Sequence, residues 1–461
     1  MMREEYDVLV AGAGASGLCA AAAAAREGAE VLLIEQSGIP GGTNTQSLVG
    51  PLMGFHAGNC QVIGGLAQEI VDRLAARGGT RGHIPDPLGV ASSITPVEPE
   101  ILKQVEFDLL REEKRITTLF HTALAGVQAE DGMIRTIRTL GKEGERSFSA
   151  KVFIDATGDG DLASGAGAPF LQGREEDGLS QPMTMIFKIG GVDFERIREA
   201  MRRRPGQFVL CEEWEKIPFT AVSGYFEEVR KARDEGLLTF PRDRVLLFEG
   251  VRPGEATVNM GRIVGRNPLN AEEKSRAEME GHAQADEILR FLRERIDGFR
   301  DAVLLETGTA VGVRESRHIR GAYLLTREDI LRKAEFEDAA AVCAFPIDIH
   351  DPRGKELTWV RQDPDACYDV PYRVMLPQGV RNLLVTGRCV SATHEAAASV
   401  RITPTAMALG EAAGIAAAMA ARNGSFPDQA DISLLRRRIA ERGGIPGKRA
   451  AKGERTDVFG K

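Results

Sequence analysis

VLVAGAGASGLCAAAAAAREGAEVLLIE, residues 8–35, decides how the rest of this chain is read. Residues 8–11 are a short apolar run of the kind that fills a buried parallel strand. Gly12, Gly14 and Gly17 then punctuate a turn, residues 18–26 are helical in composition, and Gly28 stops them. A second apolar run at 31–34 closes on Glu35. Strand, glycine turn, helix and strand within about 30 residues make a βαβ unit. The G-x-G-x-x-G spacing has a mechanical reading: Gly12 for the tight turn, Gly14 for close approach of a pyrophosphate, Gly17 for helix–strand packing. The helix start, here Ala15 and Ser16, offers unpaired N–H groups and a partial positive charge to phosphates. Glu35 stands where a carboxylate accepts hydrogen bonds from a ribose, and it would repel a 2′-phosphate. This implies a dinucleotide with free ribose hydroxyls and leaves FAD and NAD both open.

The wider composition agrees. The chain has 461 residues, 43% hydrophobic and 27% charged, which suits two or three packed domains rather than disorder. Glycine, 51 residues, exceeds the usual ~7%. A formal charge of −8 disfavours nucleic acid or an anionic membrane as partner. Six scattered cysteines contain no CxxC pair, so no metal centre, cluster or disulfide framework is expected. The alanine-rich start resembles a signal peptide, but Glu4, Glu5 and Asp7 and the closely spaced glycines argue against one. No run reaches the ~18 uninterrupted apolar residues of a membrane span. A cytoplasmic protein acting on a small molecule, as monomer or homodimer, is the expectation.

Further along, a helix is expected over 101–115, strands over 117–128, 133–140 and 147–154, and a hairpin turn at Asp131-Gly132. The middle of the chain mixes strands (182–190, 244–249, 256–260, 341–347) with charged helices and lacks βαβ rhythm, as an α+β insertion would. After Tyr368 the α/β texture returns, with a strand at 382–386 and a long helix from Pro404 to about 421. Thr403 would cap that helix and Pro404 open it, while its small residues permit tight packing. Its N-terminus against a flavin would favour negative charge on the reduced ring. The tail carries a short helix with Arg436, Arg437 and Arg438.

Three further stretches resemble the fumarate reductase and glutathione reductase flavoprotein superfamily. They are Glu35-Gln36 leading to Gly41-Gly42, Asp155-Ala156-Thr157-Gly158-Asp159, and the late strand ending in Gly387-Arg388. Four stretches resemble the bacterial FAD-dependent oxidoreductase family more closely: 41–47, 312–318, 368–372 and 387–414. That resemblance implies an α/β fold with a Rossmann-like FAD-binding domain, discontinuous over 1–165 and 370–425, and an inserted α+β cap at 166–369. A C-terminal helix and polar tail would occupy 426–461. It implies non-covalent FAD, with ADP on Gly12, Gly14, Ala15, Ser16, Gly17, Glu35 and Gln36. The pyrophosphate and flavin would meet Gly41, Gly42, Thr43, Asn44 and Thr45. Ala123, Ala156, Thr157, Gly158, Gly387 and Arg388 would complete the cradle, with Thr403, Pro404, Thr405 and Ala406 at the flavin. Where the superfamily commonly has an acid after the late-strand glycine, this chain has Arg388.

The expected reaction is hydride transfer between flavin N5 and a small organic molecule. His318, His394 and His56 are the histidines in or beside the family stretches and are candidates for the proton. Arg314, Arg317 and Arg401 share those stretches and could clamp an anion. Cys60, Cys389, Met183 and Met185 read as packing residues. An NAD-dependent dehydrogenase, a flavin-dependent tRNA-modifying protein and an electron-transfer subunit are the rival readings.

Overall fold

The computed structural model describes residues 4–451 except 355, 356, 361, 362 and 364, so the expected polar tail beyond 451 lies outside the described residues. From the N-terminus, β1 (Glu5–Ala11), α1 (Ala15–Arg26) and β2 (Val31–Ile34) form the βαβ unit. An amphipathic helix, α2 (Pro99–Glu112), leads to β3 (Ile116–Leu119), which pairs in parallel with β2. The expected single strand over 117–128 is in fact two. His121 adopts a left-handed φ of 53° and breaks it, so β3 stays in the parallel sheet while β4 (Ala123–Glu130) starts an antiparallel meander. The meander continues through β5 (Met133–Gly141) and β6 (Gly144–Asp155), turning at Asp131 and Gly132, both at positive φ as a type I′ turn requires.

β6 is long enough to serve two partners. Its first half pairs with β5, and its second half runs parallel to β1, Val8 opposite Val152. Both faces of the parallel layer are covered, which is why its strands read as continuous apolar runs. Val8, Val10, Leu33 and Ile154 face the α1 side, while Leu9, Leu32 and Phe153 face the meander side.

The middle of the chain builds a second, five-stranded antiparallel sheet. Its strands are β7 (Phe187–Gly190), β8 (Ala221–Gly224), β9 (Val245–Glu249), β10 (Ala256–Val258) and β11 (Val303–Thr307), in the order β8-β9-β10-β7-β11. The helix α3 (Ala271–Arg295) contributes Ile288, Phe291 and Leu292 to the core beneath it. The run expected at 341–347 forms two strands, Ala339–Cys343, antiparallel to Tyr368–Pro371, and β12 (Ile347–His350).

The chain then returns. β13 (Leu383–Val385) pairs in parallel with β6, Phe153 opposite Leu383, and so completes the first sheet from the far end of the sequence. The last long helix, α4 (Thr403–Asn423), lies against α1. A Cβ at Gly410 or Gly414 would sit under 3.0 Å from the carbonyls of Ser16 and Ala20, so the two backbones are in direct contact. α4 is apolar and long enough to cross a membrane by length and composition, but nearly all of it is buried in this core. The architecture is α/β, a Rossmann-like nucleotide fold carrying an antiparallel sheet between its two sequence halves.

Candidate functional site

A cavity of about 560 Å³ runs from the glycine turn after β1 to the five-stranded sheet, within the ~300–1,000 Å³ usual for ligand pockets. At its nucleotide end, Gly12 holds φ 98°, and a Cβ there would meet the Ala156 carbonyl under 3.0 Å. A Cβ on Gly17 would strike Gly12 O and Ala156 Cβ, so Gly17 serves packing and does not line the cavity. Gly14 has only Gly42 Cα nearby, 3.9 Å from its would-be Cβ, and its surface is open to the cavity. Gly14 also caps α1 without a side-chain acceptor, so the first N–H groups at Ala15 and Ser16 face the space where phosphates would lie.

Glu35 holds the turn itself. Its two carboxylate oxygens accept from Ala13 N and Ser37 N, each at 2.8 Å, and so brace the turn while the side chain lines the cavity beside Gln36. Gly42, Thr43 and Asn44 line the next stretch. Asn44 donates to Val49 O at 2.8 Å, and its Oδ1 is buried with no hydrogen-bond partner among the described residues. Gly41 and Thr45 stand behind this wall, the Thr45 hydroxyl bonded to Pro40 O. Ala123 is likewise outside the cavity, whose wall there is Thr122 and Leu124.

Ala156, Thr157 and Gly158 line the floor, joined by Gly387 and Arg388. An acid does stand at the late-strand glycine, supplied from elsewhere. Arg388 donates to Asp159 Oδ1 at 2.7 Å, and Asp159 lines the cavity. Burial raises the Asp159 carboxyl, but the Arg388 charge and the Ser316 hydroxyl outweigh it and hold the group below the ordinary carboxylate range. At the start of α4 the capping expectation shifts by one residue. Ile402, extended at φ −64° and ψ 147°, holds the cap position because its carbonyl is the first acceptor of the helix, bonded by Ala406 N at 3.0 Å. Thr403 is therefore the first helical residue and lines the cavity with Ala406, while Pro404 and Thr405 are buried behind them.

The cap end carries a different chemistry. Arg242, Arg314 and Arg401 come together with Asp348, His350 and Asn259, and Arg262 is buried close enough to be felt electrostatically. Burial and the Arg262 charge push the Arg242 guanidinium down to about 9, and burial beside Arg401 and Arg262 lowers Arg314. Arg314 donates to Pro182 O and Thr184 Oγ1, both at 2.6 Å, and not to a carboxylate. The Nε of Arg401 is buried without a partner among the described residues. His350 Nε2 meets Asp348 Oδ2 at 3.1 Å, its Nδ1 is buried and unpartnered among the described residues, and burial lowers its pKa to about 3, so the ring is neutral.

The histidine candidates from the sequence lie elsewhere. His318 Nε2 and His394 Nδ1 both engage Glu315 Oε1, at 3.1 and 2.8 Å, outside the cavity. Burial raises the Glu315 carboxyl, yet these two bonds bring it down to about 2, so the group is a buried structural knot. His56 bonds Ser93 Oγ at 2.8 Å and is also outside. Arg317 spends its charge on Asp161 at 2.8 Å and on Asp159 O, so that of the family stretches Arg314 and Arg401 reach this end of the cavity and Arg388 its nucleotide end. The residues missed by sequence reasoning are Arg242, Arg262, Asn259, Asp348 and His350. They come from separate elements, and no local motif marks them.

A glycine-rich crevice at the carboxyl ends of parallel strands, with open helix N-termini at both α1 and α4, defines a dinucleotide-binding oxidoreductase. The comparisons with known proteins are more specific. Residues 7–439 match the FAD dependent oxidoreductase family, and the chain belongs to it. It is similar to the tRNA uridine 5-carboxymethylaminomethyl modification enzyme MnmG of Geobacter sulfurreducens, 33% identical over 168 residues. That match covers 34% of this chain and spans about a quarter (24%) of the relative's length. Among solved structures it is similar to p-nitrophenol 4-monooxygenase PnpA of Pseudomonas putida DLL-E4 (11% identity, TM-score 0.49, 98% of this chain and 88% of that one). It is also similar to a geranylgeranyl bacteriochlorophyll reductase-like protein of Thermoplasma acidophilum (15% identity, TM-score 0.46, 97% and 86%). The chain is an enzyme and FAD is its cofactor. The cavity suits that group: a glycine cradle for the pyrophosphate, a braced carboxylate for the ribose, and an orphaned Asn44 Oδ1 for a ring or ribitol donor.

Proposed function

We propose that this enzyme transfers a hydride between flavin N5 and a small anionic organic substrate bound between the flavin and the five-stranded sheet. One observation carries the reading. Three guanidinium groups (Arg242, Arg314, Arg401) line one end of the cavity with Arg262 buried close by, and Asp348 is the carboxylate lining the cavity beside them among the described residues. Buried charge of one sign without equal counter-charge is costly unless a ligand supplies it. Bound FAD supplies a two-electron hydride acceptor or donor at N5. Arg314 and Arg401 orient the substrate anion by charge-assisted hydrogen bonds. His350, held by Asp348 through Nε2, keeps a neutral ring whose Nδ1 accepts a hydrogen bond that orients the substrate. Asp159, fixed by Arg388, accepts from the ribitol in place of the acid common at position 388.

A small molecule is favoured over RNA by the excess of 67 acidic over 59 basic residues. The test is anaerobic mixing of the holoenzyme with carboxylates, alcohols and amines while flavin absorbance is followed. A carboxylate should bleach the flavin, and Arg401→Met should raise KM more than it lowers kcat. Bleaching by neutral alcohols alone, undiminished in Arg401→Met, would overturn the reading.

A further inference from the structure

The cap end of the cavity is polarised along one strand. Arg244, Leu246 and Phe248 alternate along the approach to β9 and the strand itself, and all three line the cavity. Val245 and Leu247 point the other way, into the core beneath the sheet. At a rise of about 3.3 Å per residue, the step from Arg244 to Phe248 covers about 13 Å. The first end of this ruler is cationic. Arg242 is two residues before Arg244, and Asn259, whose N–H bonds Leu246 O at 2.9 Å, offers its Oδ1 to Arg314 at 3.4 Å. The far end is apolar, where Phe248 belongs to one hydrophobic cluster with Leu88, Val90 and Met53, and each of these also lines the cavity. A short dianion would leave that wall facing water, and a neutral hydrocarbon would leave the arginines unpaired.

Building on the reading that substrate occupies this end, we propose that the substrate is an amphipathic acid, its anionic head on Arg242, Arg314 and Arg401 and an alkyl or aryl body laid along Leu246 and Phe248 towards Leu88 and Val90. A body extending from the arginines meets Leu246 first and approaches Phe248 as it lengthens along the strand. Burying each methylene against that wall is worth about a fourfold gain in affinity. The head group fixes orientation, and the body sets which acids are chosen.

Titration of the holoenzyme with butanoate, hexanoate and octanoate, followed by the perturbation of flavin absorbance, reads this without turnover. The Kd should fall about fourfold per added methylene from butanoate to octanoate. Octanol should bind at least tenfold more weakly than octanoate, and succinate should also bind more weakly. Phe248→Ser, or Leu246→Ser if the first variant does not fold, should flatten the chain-length series while retaining butanoate binding. A flat series in the unaltered enzyme, or succinate binding tighter than octanoate, would overturn the amphipathic assignment and leave the anionic substrate standing. Octanol equalling octanoate, with no acid able to bleach the flavin, would instead take down the anionic reading itself.

Discussion

The two ends of the cavity are built from different material. The nucleotide end is mostly backbone: Gly12, Gly14 and Gly42 bring main chain to the surface, and its carboxylates Glu35 and Asp159 are already partnered. Glu106, buried behind Gly41, has neither oxygen hydrogen-bonded among the described residues and is pushed up to about 8 by burial, so its charge is suppressed at neutral pH. The cap end is side chain, where burial lowers both Arg314 and Arg401, Arg314 donates to neutral oxygens and the Arg401 Nε has no partner among the described residues. Backbone recognition suits a cofactor that never changes. Side-chain recognition lets substrate choice drift while the cradle stays fixed.

The sharpest way to break this contrast is at its glycines. Gly17→Ala places a methyl under 3.0 Å from Gly12 O and Ala156 Cβ, and loss of folded, flavin-loaded protein is the expected outcome, beyond the ~1–3 kcal/mol of ordinary overpacking. Gly14→Ala meets nothing nearer than 3.9 Å; it should melt as the unaltered protein does and lose FAD affinity alone. Equal thermal shifts in the two variants would erase the distinction between packing and cradle.

A second test uses the hidden charge. Glu106 has its pKa raised from 4.5 to about 8 by burial, so the folded state holds a proton that the unfolded chain has released. Its contribution is full below about 4.5 and is lost progressively as pH rises to about 8, at a limit of about 1.4 kcal/mol per pH unit. Glu106→Gln should therefore flatten melting temperature against pH between 5 and 8. Part of the slope should survive, because burial also raises Glu411 to about 7 and Asp155 to about 6. An unchanged slope would remove Glu106 from the account.

Smaller effects sharpen the border between the ends. Glu35→Ala leaves Ala13 N and Ser37 N without their acceptor, a loss of ~1–3 kcal/mol, and should weaken FAD binding about tenfold or more by fluorescence titration. Arg317→Ala should alter stability by no more than ~1 kcal/mol and leave the KM of any identified substrate unchanged, since its guanidinium is outside the cavity on Asp161. A raised KM there would move the substrate end outward.

The same contrast explains what could be read in advance. The βαβ unit was legible because Gly12, Gly14, Gly17 and Glu35 sit within one short segment and each answers a local geometric demand. The split of the expected 117–128 strand was not, because His121 at φ 53° carries no turn signal in its residue type. His318 and His394 looked functional by their place in family stretches, but their shared partner Glu315 becomes visible only in three dimensions. The arginine cluster is half legible: Arg314 and Arg401 lie in those stretches, whereas Arg242 and Arg262, on the segments flanking β9 and β10, look like ordinary surface charges until the fold buries them.

The close contact of Gly410 and Gly414 with α1, together with the late insertion of β13 beside β6, carries a consequence for biosynthesis. A ribosome making this chain releases the glycine turn first and the strand and helix that complete it only after some 380 residues more. The nascent N-terminal unit must wait with one apolar flank uncovered, so cofactor loading belongs to the finished polypeptide, and truncation near the C-terminus should yield aggregation rather than a smaller flavoprotein.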